Sequence, residues 1–220
     1  MIKELKDMDY SWDKFGQYLM PKFYSEEGEK IIAVDIGSHI GGFIDRYKDN
    51  FDIIHYYEMN PVAYSKIQEK YSQYNNIIGY NQAVSNYEGL ADILYHPNDD
   101  AGSLCISNNY IDDSHNQWDE KIGSVKTITF EKVLERVGGK IHYLKMDCET
   151  SEYSILMNQN LDNVYFLAME LHCQLGEKNW NDLLEYILKY FDSYDGRDLK
   201  YDGCNKELHF VNKKYLERVE

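Results

Sequence analysis

Acidic residues and glycines occur together just after an apolar run near the start of the chain. Ile31–Val34 is followed by Asp35, and Gly37, Gly41 and Gly42 come within the next seven positions. The apolar, partly β-branched run predicts a fully buried strand of a parallel sheet. Glycine permits a tight turn and a close approach of the backbone to a ligand. Ligands of open α/β sheets bind beyond the carboxyl ends of the strands, so we expect a cofactor at this turn.

The spacing of the glycines distinguishes two classes of cofactor. The dinucleotide fingerprint G-x-G-x-x-G would place a glycine at position 39, where this chain has His39. The Asp35 carboxylate would repel a pyrophosphate, whereas it suits a ligand that carries an ammonium group, such as S-adenosylmethionine. The pattern therefore favours S-adenosylmethionine over NAD. The alternatives are a nicotinamide-dependent oxidoreductase, a non-catalytic binding module, and a turn that merely joins a strand to a helix.

A second acidic residue stands at the end of the next predicted strand. Ile53–Tyr57 is followed by Glu58, 23 positions beyond Asp35. That separation is close to the roughly 20 residues at which an acidic residue meets the ribose in nucleotide-binding βαβ units. Since a carboxylate accepts hydrogen bonds from both ribose hydroxyls, Glu58 is the predicted ribose ligand. Pro61 then begins a helix that is predicted to reach Tyr74.

A third group of polar residues provides candidates for catalysis. One predicted strand ends just before Asp147, with Glu149 and Glu152 following, and His172 comes just after the next strand. A base that removes the proton of a hydroxyl nucleophile contributes about 10²–10⁴-fold to the rate. We expect Asp147 to face the cofactor or the acceptor. His172, whose ordinary pKa is about 6.5, is the most suitable base, with a purely structural hydrogen bond as its alternative role.

Metal binding is the other chemistry that these residues suggest. Hard cations such as Mg²⁺ take carboxylate oxygens, but acidic residues at the start of a helix also complement the helix dipole. We favour the dipole interpretation, so the sequence predicts no metal site and Mg²⁺ remains the alternative. The cysteines are far apart and form no C-x-x-C pair, which excludes the common zinc spacings; they are Cys105, Cys148, Cys173 and Cys204.

Strands and helices alternate along the chain, which indicates one α/β domain over residues 31–220. Residues 1–30 predict an amphipathic helical cap, because apolar residues from Trp12 to Phe23 recur at spacings of three and four. Residues 96–123 lack periodicity and predict a long loop, which in a compact domain is usually functional or disordered. The remaining predicted strands are Asn76–Val84, Leu90–Tyr95 and Val125–Phe130, with Tyr194–Tyr201 and Leu208–Val211 as a terminal antiparallel pair.

Charge and hydropathy restrict the partners and the location. The 220 residues carry a formal net charge of −15, and only isolated basic pairs such as Lys213-Lys214 occur. Nucleic-acid surfaces need clustered lysine and arginine, so we expect no nucleic-acid partner. No segment approaches the ~18 consecutive apolar residues of a membrane span, and the acidic start lacks the apolar core of a signal peptide. These features predict a cytoplasmic protein without a membrane partner.

Six segments follow one another in an order that is known from one family. Over roughly residues 30 to 175 the sequence resembles the FkbM family of S-adenosylmethionine-dependent O-methyltransferases. Three positions depart from the family pattern: His39 replaces the usual asparagine of the glycine turn, and Thr150-Ser151 replaces a glycine-alanine pair between two acids. The six matching segments are Val34–Gly41, Glu58–Pro61, Asn81–Asn86 with Gly89, Thr127–Phe130, Leu144–Glu152 and Glu170–His172.

The resemblance implies a Rossmann-like class I methyltransferase fold, a doubly wound and mostly parallel α/β sheet with an antiparallel hairpin at its C-terminal end. It implies methyl transfer from S-adenosylmethionine to a hydroxyl of a small molecule or glycan, such as a sugar or a secondary metabolite. The adenine is expected near Met59 and Asn81–Ala83, and the ribose at Glu58. The residues expected to bind the cofactor are Asp35, Gly37, Ser38, His39, Gly41, Glu58, Met59, Asn81, Gln82, Ala83 and Asp147.

Overall fold

The computed structural model describes residues 10–12, 18–21, 23, 28–95, 104–106, 120–194 and 196–218. The strands within these ranges are β1 (Tyr10–Trp12), β2 (Leu19–Pro21), β3 (Ile32–Ile36), β4 (Ile53–Tyr57), β5 (Ile77–Tyr80), β6 (Ala83–Ser85), β7 (Gly89–Tyr95), β8 (Leu104–Ile106), β9 (Glu120–Thr129), β10 (Ile141–Met146), β11 (Val164–Leu171), β12 (Phe191–Ser193) and β13 (Lys206–Asn212). The helices are α1 (Gly42–Tyr47), α2 (Pro61–Lys70), α3 (Phe130–Arg136), α4 (Glu152–Leu156), α5 (Gly176–Tyr190) and α6 (Lys213–Arg218).

The central sheet has seven strands in the order β12-β13-β11-β10-β3-β4-β5. β10 pairs in parallel with both β3 and β11, whereas β13 runs antiparallel to β11 and β12. The strand order reverses between β3 and β10, and open α/β sheets bind ligands in the crevice at such a point. The register there pairs Asp35 with Lys145, so two charged residues meet at the edge where a ligand is expected.

Successive residues of the central strands belong to two different hydrophobic cores. Val34 and Leu144 lie in the core that includes residues of α3, α4 and α5. Ala33 and Tyr143 lie in the core that includes residues of α1 and α2. Both faces of the sheet are therefore covered, which explains why these strands have continuous rather than alternating apolar residues. The doubly wound arrangement that the sequence predicts is confirmed.

The chain leaves the central sheet between β5 and β6. Asn76–Val84 was predicted as one strand, but it splits at Asn81 and Gln82, and β6 joins a second sheet in the order β6-β9-β7-β8. β7 confirms the predicted strand at Leu90–Tyr95, and β9 extends the one predicted at Val125–Phe130 towards its N-terminal side. The split places two polar residues at the carboxyl end of the central sheet.

Two expectations at the ends of the chain are wrong. In residues 1–30 the described part contains the antiparallel pair β1–β2 instead of a helix, because Leu19 is fully buried and its N–H donates to Nε2 of His209 (3.2 Å). The predicted strand Tyr194–Tyr201 is not formed, since β12 ends at Ser193, although the antiparallel pairing with β13 is confirmed. The loop predicted over residues 96–123 is wrong where it is described, because β8 and the first residues of β9 are strands there; its other residues lie outside the described ranges.

Helix α2 ends at Lys70, one turn before the predicted end. Thr129 caps α3, because its hydroxyl accepts a hydrogen bond from the N–H of Lys132 (3.4 Å). Among the described helices, none combines the length and the apolar character that a membrane crossing requires.

Candidate functional site

The loop between β3 and α1 brings the backbones of three strands together. The N–H of Gly37 donates to the carbonyl of Tyr57 at the end of β4 (3.0 Å), and the N–H of Asp147 donates to that of Ile36 (3.0 Å). Gly37 has a φ of 78°, and a Cβ there would lie 1.7 Å from the carbonyl oxygen of Asp147. Only glycine fits this position, so the turn can pass closely over the ends of β3, β4 and β10.

Two further residues of the turn are left-handed. His39 has a φ of 49° and Gly41 a φ of 85°. Histidine and asparagine adopt this conformation more readily than most residues, so His39 in place of the family's asparagine preserves the shape of the turn. The Ser38 hydroxyl donates to the carbonyl of Asp35 (3.2 Å). Ser38 and Gly41 therefore help to form the turn, and neither lines the cavity beside it.

Glu58 is buried at the end of β4, with both carboxylate oxygens bound to backbone N–H groups. Oε2 accepts from the N–H of His39 (2.6 Å), and Oε1 accepts from that of Asn60 (2.7 Å). The Asn60 side chain in turn caps α2 by accepting from the N–H of Val62 (2.9 Å). Burial raises the pKa of Glu58 to about 7, because the two N–H donors offset only part of the desolvation. The carboxylate is thus fixed in position and titrates near neutral pH.

A cavity of about 280 Å³ lies against this turn and the Glu58 carboxylate. It is close to the lower end of the range that is common for ligand pockets. Its wall includes eight of the predicted site residues: Gly37, His39, Glu58, Met59, Gln82, Ala83, Asp147 and Glu149. Six others do not line it: Asp35, Ser38, Gly41, Asn81, Glu152 and His172.

The polar residues at the split between β5 and β6 have different roles. Asn81 faces the protein, since its Nδ2 donates to the carbonyls of Glu58 (2.8 Å) and Met59 (3.1 Å). Gln82 lines the cavity, and its Oε1 accepts from a guanidinium nitrogen of Arg136 (3.0 Å). That guanidinium lies 4.2 Å from the ring centroid of Tyr80, a cation–π distance. Arg136 does not line the cavity, and its hydrogen bond therefore orients the Gln82 side chain that does.

Asp35 is fully buried and contacts Lys145. The ammonium of Lys145 lies 3.2 Å from Oδ1 of Asp35 and 3.8 Å from Oδ2 of Asp147, and it donates to the carbonyl of Gly37 (2.6 Å). Burial alone would lower the pKa of Lys145, but the two carboxylates outweigh it and raise this pKa above its ordinary value. The lysine stays charged and links β10 to the glycine turn. Asp35 thus supports the turn through Lys145 and does not face the cavity.

His172 lies among carboxylates at the carboxyl end of β11. Its Nδ1 is 2.9 Å from Oε1 of Glu152, and its Nε2 is 3.3 Å from Oε2 of Glu149 and 4.0 Å from Oδ1 of Asp147. Burial lowers the pKa of His172, but the charge of Glu152 and then Glu149 raises it well above the ordinary value. An imidazole that is protonated at neutral pH is a poor general base, which argues against the role that the sequence suggested.

Comparison with known proteins agrees with this geometry. The methyltransferase FkbM domain matches residues 35–201. The chain belongs to the FkbM methyltransferase family. The resemblance seen in the sequence is thereby confirmed, and membership of this family supports S-adenosylmethionine as the cofactor. No curated protein matches the sequence.

Solved structures show the same fold as this FkbM methyltransferase. The fibrillarin pre-rRNA processing protein of Methanococcus jannaschii has 10% identity and a TM-score of 0.51, with 96% of this chain and 85% of that chain covered. The chain from a fibrillarin/Nop5p complex has 13% identity and a TM-score of 0.49, with 83% and 72% covered. At 10% identity the likeness to the Methanococcus jannaschii protein shows the fold alone, and it confirms the predicted class I methyltransferase fold.

Sequence reasoning missed two residues of the FkbM methyltransferase site. Lys145 could have been noticed, because it is a charged residue in the otherwise apolar end of β10, with Leu144 and Met146 on either side. Arg136 gave no such signal, since a basic residue in the last turn of a helix is common. Neither lines the cavity, but Arg136 contacts Gln82 and Lys145 contacts Gly37, which do.

Proposed function

We propose that the cavity binds S-adenosylmethionine and that the enzyme methylates a hydroxyl oxygen on a small-molecule or glycan acceptor. The observation that carries this proposal is the fixed carboxylate of Glu58 beside a glycine turn that only glycine can form at Gly37. Glu58 would accept hydrogen bonds from the ribose hydroxyls. The methionine part of the cofactor would lie along the turn, and the adenine between Met59 and Gln82.

Bound S-adenosylmethionine would supply a methyl group on a positively charged sulfur. The acceptor oxygen would form the new C–O bond, and the C–S bond would break with its electron pair left on sulfur. The protein must hold the acceptor in line and remove the hydroxyl proton. Asp147 and Glu149 line the cavity and offer carboxylate oxygens for that proton. A hydroxyl gains more from a nearby base than a neutral amine does, because the amine attacks with its own lone pair whereas the hydroxyl becomes a strong nucleophile only as it loses its proton. We therefore favour O-methylation over N-methylation.

Calorimetric titration with S-adenosylmethionine, S-adenosylhomocysteine and NAD tests the cofactor assignment. We expect saturable micromolar binding of the two adenosyl ligands and none of NAD. A preference for NAD would favour the oxidoreductase alternative, and no binding of any of the three would favour a non-catalytic module. A panel of sugar and polyketide alcohols, beside matched amines, then tests the acceptor; methylation of the amines alone would contradict O-methylation.

The affinity for S-adenosylhomocysteine should depend on pH through Glu58. Because burial raises the pKa of Glu58 to about 7, the carboxylate that accepts from the ribose is lost as the pH falls below that value. The association constant should be constant above pH 7.5 and fall with a limiting slope of up to about tenfold per pH unit below pH 6.5.

Titrations of the parent chain and of Glu58→Gln between pH 5.5 and 8.5 measure this dependence. Glutamine keeps the size of the side chain but does not titrate, so the variant should bind more weakly at pH 8 and show a flat profile. A slope that persists in Glu58→Gln would assign the titration to another group and would contradict the ribose assignment.

A further inference from the structure

A second cavity lies at the carboxyl end of β11. It is an open groove of about 510 Å³, and every residue that lines it is charged or carries an amide: Glu170, Arg197, Asp198, Asn205, Lys206 and Glu207. Ligand pockets are usually lined mainly by apolar side chains with a few polar groups among them. A groove lined by polar side chains alone therefore fits a ligand with many hydroxyl groups better than a ligand with an apolar skeleton.

The groove and the cofactor cavity meet at two carboxylates. Asp147 lines the cofactor cavity and Glu170 lines the groove, and one carboxylate oxygen of each lies within 4.8 Å of the other. Asp147 follows β10, and Glu170 lies near the end of β11, which pairs in parallel with β10. Both side chains therefore stand at the same edge of the sheet. A ligand in the groove can bring one of its oxygen atoms beside Asp147, where the cofactor cavity begins.

The connection between β12 and β13 forms one wall of the groove and is anchored to the rest of the domain. Nε1 of the fully buried Trp180 on α5 donates to the carbonyl of Leu199 (3.0 Å). Nη1 of Arg197 donates to the carbonyl of Glu207 on β13 (2.7 Å). These hydrogen bonds fix the wall without a ligand, and such preorganisation lowers the cost of binding.

Two polar groups of the groove are available to a ligand. Oε1 of Glu170 accepts from Nδ2 of Asn205 (3.2 Å). No described residue bonds to Oε2 of Glu170 or to the second N–H of that amide. A hydroxyl group both donates and accepts hydrogen bonds. Adjacent hydroxyls of a sugar could therefore donate to Glu170 and accept from Asn205.

The two cations of the groove are paired within the protein. Arg197 lies 3.4 Å from Oε2 of Glu207, and the Lys206 ammonium lies 3.1 Å from Oδ2 of Asp202. These carboxylates offset both cations, so the groove has no excess positive charge to balance the carboxylate of Glu170. An anionic ligand, such as a phosphate or a uronate, would be repelled there. A neutral ligand fits better.

We propose that this groove binds the methyl acceptor, and that the acceptor is a neutral polyhydroxylated compound such as a sugar unit rather than an apolar polyketide. The inference rests on the proposed function, since it assigns the acceptor of the same methyl transfer. The hydroxyl beside Asp147 would form the new C–O bond, the C–S bond would break with its electron pair left on sulfur, and the hydroxyl proton would pass to Asp147. Glu170 and Asn205 would bind neighbouring hydroxyls and so position the reacting one.

Saturation-transfer difference NMR on the full chain loaded with S-adenosylhomocysteine tests the groove, because the cofactor cavity is then occupied. The probes are the methyl α-glycosides of glucose, galactose and mannose at millimolar concentration, with cyclohexanol as the apolar alcohol. We expect saturation transfer to at least one glycoside and none to cyclohexanol. Equal transfer to cyclohexanol, or transfer to none of the glycosides, would overturn the proposal.

A pair of variants assigns the bound glycoside to the groove. Glu170→Gln keeps the size of the side chain but removes the charge, so glycoside binding should weaken about tenfold, since hydrogen bonds to charged groups are the stronger ones. Glu185→Gln is the matched control, because Glu185 is exposed on α5 and lines neither cavity. That variant should bind the glycoside within twofold of the parent. Equal affinities of the two variants would overturn the groove assignment.

Calorimetric titration of the same samples with S-adenosylhomocysteine separates this proposal from the proposed function. Glu170 does not line the cofactor cavity, so Glu170→Gln should keep the parent's affinity for this ligand and its thermal unfolding temperature. Glycoside binding that depends on Glu170 in a chain that does not bind S-adenosylhomocysteine would overturn the proposed function and leave the groove as a sugar site. The opposite result would overturn the groove alone.

Discussion

Replacing Gly37 by alanine should destabilise the protein by more than about 4 kcal/mol and abolish cofactor binding. The new Cβ would lie 1.7 Å from the carbonyl oxygen and 2.7 Å from the carbonyl carbon of Asp147. Backbone atoms cannot rotate away from it as a flexible side chain would. The φ of 78° adds about 1–2 kcal/mol of strain for any residue with a Cβ. Separation of the ends of β3 and β10 is the only relief, and it would move Asp147 away from the turn.

Gly42→Ala provides the matched control for this prediction. Gly42 begins α1, and a Cβ there meets no atom within 4 Å. Alanine is favoured over glycine in helices by up to about 1 kcal/mol, so this variant should be as stable as the parent or slightly more so. Urea unfolding and calorimetric titration with S-adenosylhomocysteine measure both properties. Equal stability of Gly37→Ala and the parent would contradict the close contact between the Gly37 backbone and the carbonyl of Asp147.

The parts of the site that the sequence predicts best are those set by local chain geometry. A buried strand, a glycine turn and a helix are consecutive in sequence, and the same holds for Glu58, Asn60 and Pro61. Their conformations depend on residues within a few positions, so residue type and spacing are sufficient. The cavity wall at Gly37, Glu58 and Met59 was predictable for this reason.

The parts that the sequence does not predict depend on distant pairing. Leu19 was placed in a helix because its spacing is helical, but β2 is held by a hydrogen bond to His209, which is 190 positions away. Asp35 was expected to face the ligand, and only the register of β3 beside β10 shows that it pairs with Lys145. The role of His172 likewise depends on carboxylates from two other segments, at Glu149 and Glu152.

Lys145→Met should destabilise the protein by about 3–5 kcal/mol, the usual effect of removing one partner of a buried ion pair. Methionine keeps the apolar stem of the lysine, so the change mainly removes the ammonium. The Asp35 carboxylate, with no exposed surface, would lose its cation, and the carbonyl of Gly37 would lose its donor. Lys126→Met, at an exposed lysine of β9, is the control and should change the free energy of unfolding by less than about 0.5 kcal/mol.

A double-mutant cycle with Asp35→Asn decides whether the ion pair causes this loss. Suppose that the unpaired carboxylate causes most of the loss of stability in Lys145→Met. Asp35→Asn should then lower the free energy of unfolding less in the Lys145→Met background than in the parent. The loss in the double variant should be smaller than the sum of the two single losses by at least about 1 kcal/mol. Effects that add within about 0.5 kcal/mol would mean that the two charges do not interact. Affinity for S-adenosylhomocysteine should follow the same pattern, because Asp35 acts on the glycine turn through Lys145. If Asp35→Asn loses affinity for S-adenosylhomocysteine and Lys145→Met does not, the result would instead indicate that Asp35 contacts the cofactor directly.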